Sequence, residues 1–339
     1  MKLLKLSFLV FLVCSETFSQ QINKPESSQL SKPDRSDSTI YSINDSTDYL
    51  YYRPHIIDPF KHAISDLYLV PLELTKKENV PAIIAVTVSS LVIIHYDEKI
   101  TQSARRFGRY IGLSTNGDVH NLSPFSNLPL NVPTTFSSGL YYIGDGMTEL
   151  AVDAGFLIYG SVYGDVRALT TASELTEGIA TVGVFVQLLK HLSGRESPSH
   201  QTAPGGRWRW LPSWKEYYSS VPAHDAFPSG HLATAMMTTA IISMNYPEYK
   251  FIKPVCYSLM GLCGYQMLNN GVHWMGDYPL ALALGYSIGK IAVNRDREII
   301  NHPKIHSSAY FINKFHPKVF LTPVNFYKDV SGMQFTMSF

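Results

Sequence analysis

Cysteine is scarce here, three in 339 residues, and Cys14 falls in an apolar N-terminal segment. Cys256 and Cys263 are seven apart in one helix-like segment, about 10 Å by helical rise, beyond disulfide reach. A disulfide framework is excluded, and both thiols read as small buried apolar groups. Charge is also sparse, with 28 Lys and Arg against 27 Asp and Glu for a net +1. With no basic stripe, nucleic acid is excluded as a partner. No His, Cys, Asp and Glu set stands at metal-ligand spacing, so the sequence points to no metal and no cofactor. Long charge-free apolar runs are missing too: Pro81 to Ile94, Leu232 to Met244 and Val255 to Leu268 are each shorter than a usual bilayer span.

What is present begins with an export signal. Met1-Lys2-Leu3-Leu4-Lys5 precedes an apolar run from Leu6 to Val13 and a polar exit near Thr17-Phe18-Ser19, which predicts a signal peptide over residues 1–19. Phe11-Leu12-Val13 before Cys14 lacks the small residue of a lipid-anchor site. The mature chain is expected outside the inner membrane, in a periplasm or cell envelope. Residues 20–48, rich in Ser, Asp, Lys and Pro, read as a disordered leader. Residues 49–300 are long enough for one large domain with a substantial core, and residues 301–339 form a C-terminal extension. Its closing residues, Gly332 to Phe339, alternate apolar and polar and predict a short strand.

Between these ends the pattern is helical. Helix-like stretches run over Ala63 to Leu74, Pro81 to Ile94, Leu140 to Gly160, Ala172 to Lys190, His231 to Met244, Val255 to Leu268 and Pro279 to Val293. The run Ile83 to Ile94 is β-branched, but its length favours a helix and Pro81 suits a first helical position. Asn121 to Thr135, with three prolines, reads as a long ordered loop. Asp145, Glu149 and Asp153 are spaced by four, one stripe facing either solvent or a polar core. The fold class is all-α, a helical bundle.

Two short segments carry chemistry: Phe227-Pro228-Ser229-Gly230-His231, and Gly271-Val272-His273-Trp274-Met275-Gly276-Asp277. His273 and Asp277 are four apart, so on a helix they share a face and the carboxylate can hold the imidazole. A histidine so held keeps one nitrogen protonated and turns the other outward as nucleophile or base. Pro228-Ser229-Gly230 reads as a turn into a helix, whose first amides bind anions, with Gly230 allowing close approach. His231 at that mouth is placed to protonate a leaving oxygen.

These segments resemble the type 2 phosphatidic acid phosphatase and vanadium haloperoxidase superfamily. Its pattern is Lys-x6-Arg-Pro, then Pro-Ser-Gly-His, then Ser-Arg-x5-His-x3-Asp. The second part is complete at Pro228 to His231, the third keeps His273 and Asp277, and Lys190 and Pro198 stand at the ends of the first. The resemblance covers about residues 137 to 294. It implies hydrolysis of a phosphomonoester or diphosphate through a phosphohistidine, with His273 as nucleophile, Asp277 as its orienting group and His231 as acid and base. It also implies that Lys190, Ser229 and the Gly230 amide hold the phosphate oxygens. No cofactor is implied, and the substrate would be a phosphorylated lipid or a small phosphate ester. Two departures stand out. Ser197 and Met267 occupy the positions of the two motif arginines, and neither side chain offers a guanidinium's charged, bidentate fork. Arg195, two residues before Ser197, is the expected substitute. A member that binds phosphate or lipid headgroups without turnover is the alternative reading.

Many members span membranes six times. The acids between Leu140 and Gly160 are costly in lipid unless they face a bundle interior. The sequence leans towards a periplasmic bundle that touches the membrane surface, with a multi-pass protein as the alternative. Arg207-Trp208-Arg209-Trp210-Leu211-Pro212-Ser213-Trp214, between the first two motifs, suits either an interfacial anchor over the site or aromatic and cation–π packing.

Overall fold

The computed structural model describes residues 38–121, 131–302, 318–327 and 330–338, with side chains described up to residue 302. The expected signal peptide and most of the leader lie outside the described residues. Residues 1–301 and 302–339 form two separate units.

The first unit is the expected helical bundle. Among the described residues it has nine α-helices: α1 Asp58–Leu74, α2 Val80–Tyr110, α3 Phe136–Tyr142, α4 Gly146–Tyr163, α5 Val166–Ser193, α6 Trp214–Ser219, α7 Gly230–Asn245, α8 Ile252–Asn270 and α9 Tyr278–Asp296. Their limits follow local chemistry. Asp145 caps α4 by accepting from the Met147 amide at 2.9 Å, and Asp165 caps α5 by accepting from Ala168 at 2.9 Å. Gly194, at φ +52°, closes α5, and its amide donates to the Lys190 carbonyl. Helices α7 and α9 pack closely because Gly285 and Gly289 lie against the backbone of Ala233 and Met237, where a Cβ would clash. Around this pair the core gathers Leu175, Val182, Leu232, Met237, Ile241, Met260, Met267 and Ile288.

Three details differ from the sequence reading. Residues 20–48 were expected as a disordered leader, yet β1 Ser38–Asn44 and β2 Thr47–Tyr52 pair antiparallel, and β2 pairs with β5 Arg297–Asn301. The β-branched and aromatic residues in Thr39-Ile40-Tyr41 and Tyr49-Leu50-Tyr51 support the strands, and Tyr51 is fully buried against the end of α7. Next, Leu140 to Gly160 is two helices, because the Asp145 cap starts a new one after Tyr142. Finally, α2 extends far past Ile94 to Tyr110. A short pairing of β3 Val119–Asn121 with β4 Asn131–Pro133 brackets the expected loop, whose middle lies outside the described residues.

Polarity is distributed unusually. Large apolar side chains are exposed on α1 (Phe60, Ile64, Tyr68), α2 (Ile84, Val88, Leu91, Val92), α4 (Leu157, Ile158, Val162), α5 (Val184, Leu188) and α8 (Val255, Leu259, Leu262). Meanwhile Asp66, Asp97, Glu149, Glu174, Glu177 and Arg195 are buried. The acid stripe of α4 accordingly faces the interior, where Glu149 accepts from Thr238 and Asp153 from Thr176. The segment Lys77–Tyr110 is long and apolar enough to cross a membrane, by length and composition.

The second unit is a hairpin of β6 Lys318–Tyr327 and β7 Val330–Ser338, in antiparallel register from Lys318↔Ser338 to Tyr327↔Val330. The expected terminal strand is present, with a partner.

Candidate active site

Three chain segments meet at one end of the bundle: the last turn of α5 with the loop after it, the first turn of α7, and the loop from α8 to α9. His273 and Asp277 are not on one α-helix, as their spacing suggested. Gly271, at φ +73°, ends α8, and a single 3-10 turn, Met275–Asp277, precedes α9. The juxtaposition survives because that tight turn brings Asp277 back over the loop, where its Oδ2 accepts from the Trp274 amide at 2.7 Å.

The His273 Nδ1 lies 2.7 Å from the Ala226 carbonyl and 3.6 Å from Asp277 Oδ2. A carbonyl only accepts, so Nδ1 carries the proton and Nε2 keeps its lone pair. The main orienting partner is therefore a backbone carbonyl, with the carboxylate as a second, longer electrostatic contact. His231 stands opposite, the two ring centroids 6.5 Å apart. Its ring packs on Tyr141 at 4.5 Å, and its Nε2 has no hydrogen-bond partner, with Asp145 Oδ2 at 4.0 Å. Burial pushes His231 down to about 3, helped by the positive charge of Lys190 nearby. The free site thus holds His231 as a neutral imidazole facing His273.

Lys190, in the last turn of α5, reaches Asp225 Oδ2 at 3.4 Å. Gly230 opens α7, where no side chain caps the helix start, leaving first-turn amides for an anion. Ser229 is placed otherwise than expected. It is fully buried, its amide donates to the Asp277 carbonyl, and its hydroxyl points to Met267 Sδ at 3.7 Å.

Arg195 likewise departs from its expected role as a phosphate clamp. Its guanidinium is fully buried, donating to Asp277 Oδ1 at 2.5 Å, Asp97 Oδ2 at 2.6 Å and the Gly205 carbonyl at 2.8 Å. The reversal at Gly194 aims the side chain inward between Trp208 and Trp274. Asp97 also accepts from the Gly276 amide at 2.8 Å. Arg195 thereby ties α2 to the loop bearing His273. Ser197 bonds to Ser199 through its hydroxyl, and its amide donates to the Pro222 carbonyl.

Sequence reasoning missed two neighbours. Asp145 comes into range of His231 only because the helix breaks there. Arg105 of α2 packs over Gly271, one turn beyond Met267: a methyl at Gly271 would sit 3.6 Å from its Nη1. Its Nε is buried without a partner. No spacing rule connects residue 105 to residue 271; the length of α2 does.

Of the loop between the first two motifs, Trp208 stacks on Trp210 and sits over Arg195, whereas Trp210, Leu211 and Trp214 are largely exposed. Glu196 anchors the loop from beneath, accepting from the amides of Thr202 and Arg207, the Thr202 hydroxyl and Arg209.

A family model described as PAP2 superfamily matches residues 172–299, the stretch holding all three motif segments. Two solved structures are similar. One is Aquifex aeolicus LpxE, with 21% identity over 47% of this chain and 83% of that one, TM-score 0.34. The other is a Bacillus subtilis transmembrane PAP2 type phosphatidylglycerolphosphate phosphatase, with 16% identity over 71% of this chain and 96% of that one, TM-score 0.36. No curated protein matches the sequence.

Proposed function

We propose that this protein is a membrane-bound phosphatase that removes phosphate from a lipid phosphate through a phosphohistidine. The observation that carries the proposal is the fixed tautomer of His273. With Nδ1–H donating to Ala226, the Nε2 lone pair is directed away from the carbonyl and is available for attack. The Nε2–P bond forms as the ester oxygen departs with a proton from His231. Water then attacks the phosphohistidine, losing a proton to His231 and releasing phosphate. A neutral His231 must first gain that proton. A phosphate placed between it and Lys190 supplies the negative charge that favours protonation.

Charge on the non-bridging oxygens is met by Lys190, the first amides of α7 and Arg105, which takes over from the arginine absent at Met267. The exposed apolar faces suit a bilayer, with α2 as the spanning helix and Trp210 and Trp214 at the interface. That placement favours a lipid substrate over a soluble one.

The test is phosphate release from detergent-dispersed phosphatidic acid, a polyprenyl diphosphate and p-nitrophenyl phosphate by purified protein. Release from the lipids is expected, with His273→Ala slower by at least about 10³-fold. Equal release by the variant sinks the mechanism. The absence of release from every substrate favours a headgroup-binding member without turnover, the reading supported by Ser197, Met267 and the buried commitment of Arg195.

A further inference from the structure

Away from the histidine pair, α1, α5 and α9 bring a second polar cluster together. Thirteen residues separate Glu177 from Lys190 along α5, about 20 Å by helical rise, so the cluster is remote from the site above. His62 Nδ1 lies 3.1 Å from Glu177 Oε2 and 4.0 Å from Asp296 Oδ2. One donor atom from each of these three residues falls within 4.8 Å of the others. Arg295 occupies the far side, with Nη1 on Glu177 Oε1 at 2.8 Å and Nη2 on Asp66 Oδ1. Its fork leaves the Glu177 Oε2 edge turned towards His62 and Asp296.

The cluster is short of positive charge. Asp66, Glu174, Glu177 and Asp296 bring four carboxylates within mutual electrostatic reach, against the guanidinium groups of Arg295 and Arg297. Nearby Asp58 is already paired with Lys61 at 3.9 Å. A second observation points to a ligand rather than to a solvated acidic patch. Asp66 is fully buried, its Oδ2 accepts from no N–H or O–H donor among the described residues, and its carboxylate faces the Glu177 carboxylate within hydrogen-bond range. The buried Glu174 also carries an oxygen without a partner. Facing carboxylates with buried oxygens that no donor reaches must share a proton or hold a cation between or beside them.

We infer that His62, Glu177 and Asp296 form a binding site for a divalent transition-metal cation, which staples α1 to α5 and α9. One imidazole nitrogen with two carboxylate oxygens is a mixed donor set that suits Zn²⁺ or Mn²⁺ better than Ca²⁺ or Mg²⁺. The two positive charges of the ion offset the excess of carboxylates. As a ligand, His62 would carry its proton on Nε2 and offer Nδ1 to the metal.

The experiment uses full-length protein in detergent, stripped with chelator and then dialysed against ZnCl₂ or MnCl₂, with metal content and thermal midpoint measured after removal of excess ion. About one equivalent per chain of at least one metal is expected, with a higher midpoint than the stripped protein. Both effects are expected to vanish in His62→Ala and in Asp296→Asn and to persist in His231→Ala, which separates this site from the histidine pair. Asp296→Asn preserves volume, and unchanged circular dichroism and phosphate release check its fold. No stoichiometric retention by wild type, or undiminished retention by folded Asp296→Asn, overturns the inference and leaves the cluster neutralised by protons alone.

Discussion

The two ends of the bundle both bury arginine among carboxylates, and they balance that charge differently. At the histidine end Arg195 serves two carboxylates, Asp97 and Asp277, and most remaining oxygens there find backbone amides. At the other end Arg295 serves Asp66 and Glu177, but Glu174 and Asp296 add further acids and buried oxygens are left over. The first arrangement closes round Asp97 and Asp277, and the buried atoms left without a partner at that end, among the described residues, include Arg195 Nε, Arg105 Nε and His231 Nε2, the last in the ring that faces His273. The difference teaches where to look for ligands. A satisfied shell supports a site, and an orphaned atom marks one.

Arg195→Met should test this contrast with the largest effect on stability. The substitution strands Asp97 and Asp277 without their cation, and removing one partner of a buried ion pair costs about 3–5 kcal/mol. Phosphate release should fall as well, because the loop holding His273 loses its tie to α2. The loss should be the same with or without added Zn²⁺ or Mn²⁺, since the metal site is at the other end. Denaturant unfolding of wild type and variant in both conditions measures it. A stable, active Arg195→Met would mean that this end is not held together by its ion network.

Arg105→Ala should leave stability nearly unchanged and act on phosphate. Among the described residues its guanidinium has no carboxylate to strand, so the expected cost is in transition-state charge stabilisation, about 1.5–3 kcal/mol or roughly 10- to 100-fold in kcat/KM. Arg105→Lys should recover part of it. If instead Arg105→Ala unfolds the protein while phosphate release per folded molecule is intact, Arg105 belongs to the structural shell with Arg195. The boundary between support and site would then move.

Much of this was readable from the chain because function had fixed short local strings. Pro228 to His231 and His273 to Asp277 are contiguous, so their order and spacing pointed to the family whose model matches residues 172–299 and to the histidine pair that the fold brings face to face. The helices were readable from periodicity, although the break at Asp145 was hidden in an apolar run that a single cap interrupts. Contacts between distant helices were not readable. Arg195 looked like a phosphate ligand because it sits two residues from the motif position, and only the reversal at Gly194 sends it inward to Asp277. Arg105, and the set His62, Glu177 and Asp296, are assembled from segments more than a hundred residues apart, which no spacing rule covers.

The mildest test concerns the loop above the histidine end and uses pH. Burial pushes the Glu196 carboxyl up, but hydrogen bonds from Thr202, Arg207 and Arg209 outweigh it and hold the group down at about 2. A folded pKa below the unfolded value stabilises the fold above the unfolded pKa, roughly 4.3, and that contribution fades as pH falls towards 2. Between those limits wild type should lose loop order that Glu196→Gln, which lacks the titration, has already partly lost at neutral pH. Intrinsic fluorescence suits the measurement, because Trp208 and Trp210 stack within the loop that Glu196 anchors. Wild type should show a transition below pH 4.3 that is weaker in Glu196→Gln. Identical acid profiles would show that the loop holds its shape without this carboxylate, and that the closed network at the histidine end stops at Arg195 and Asp277.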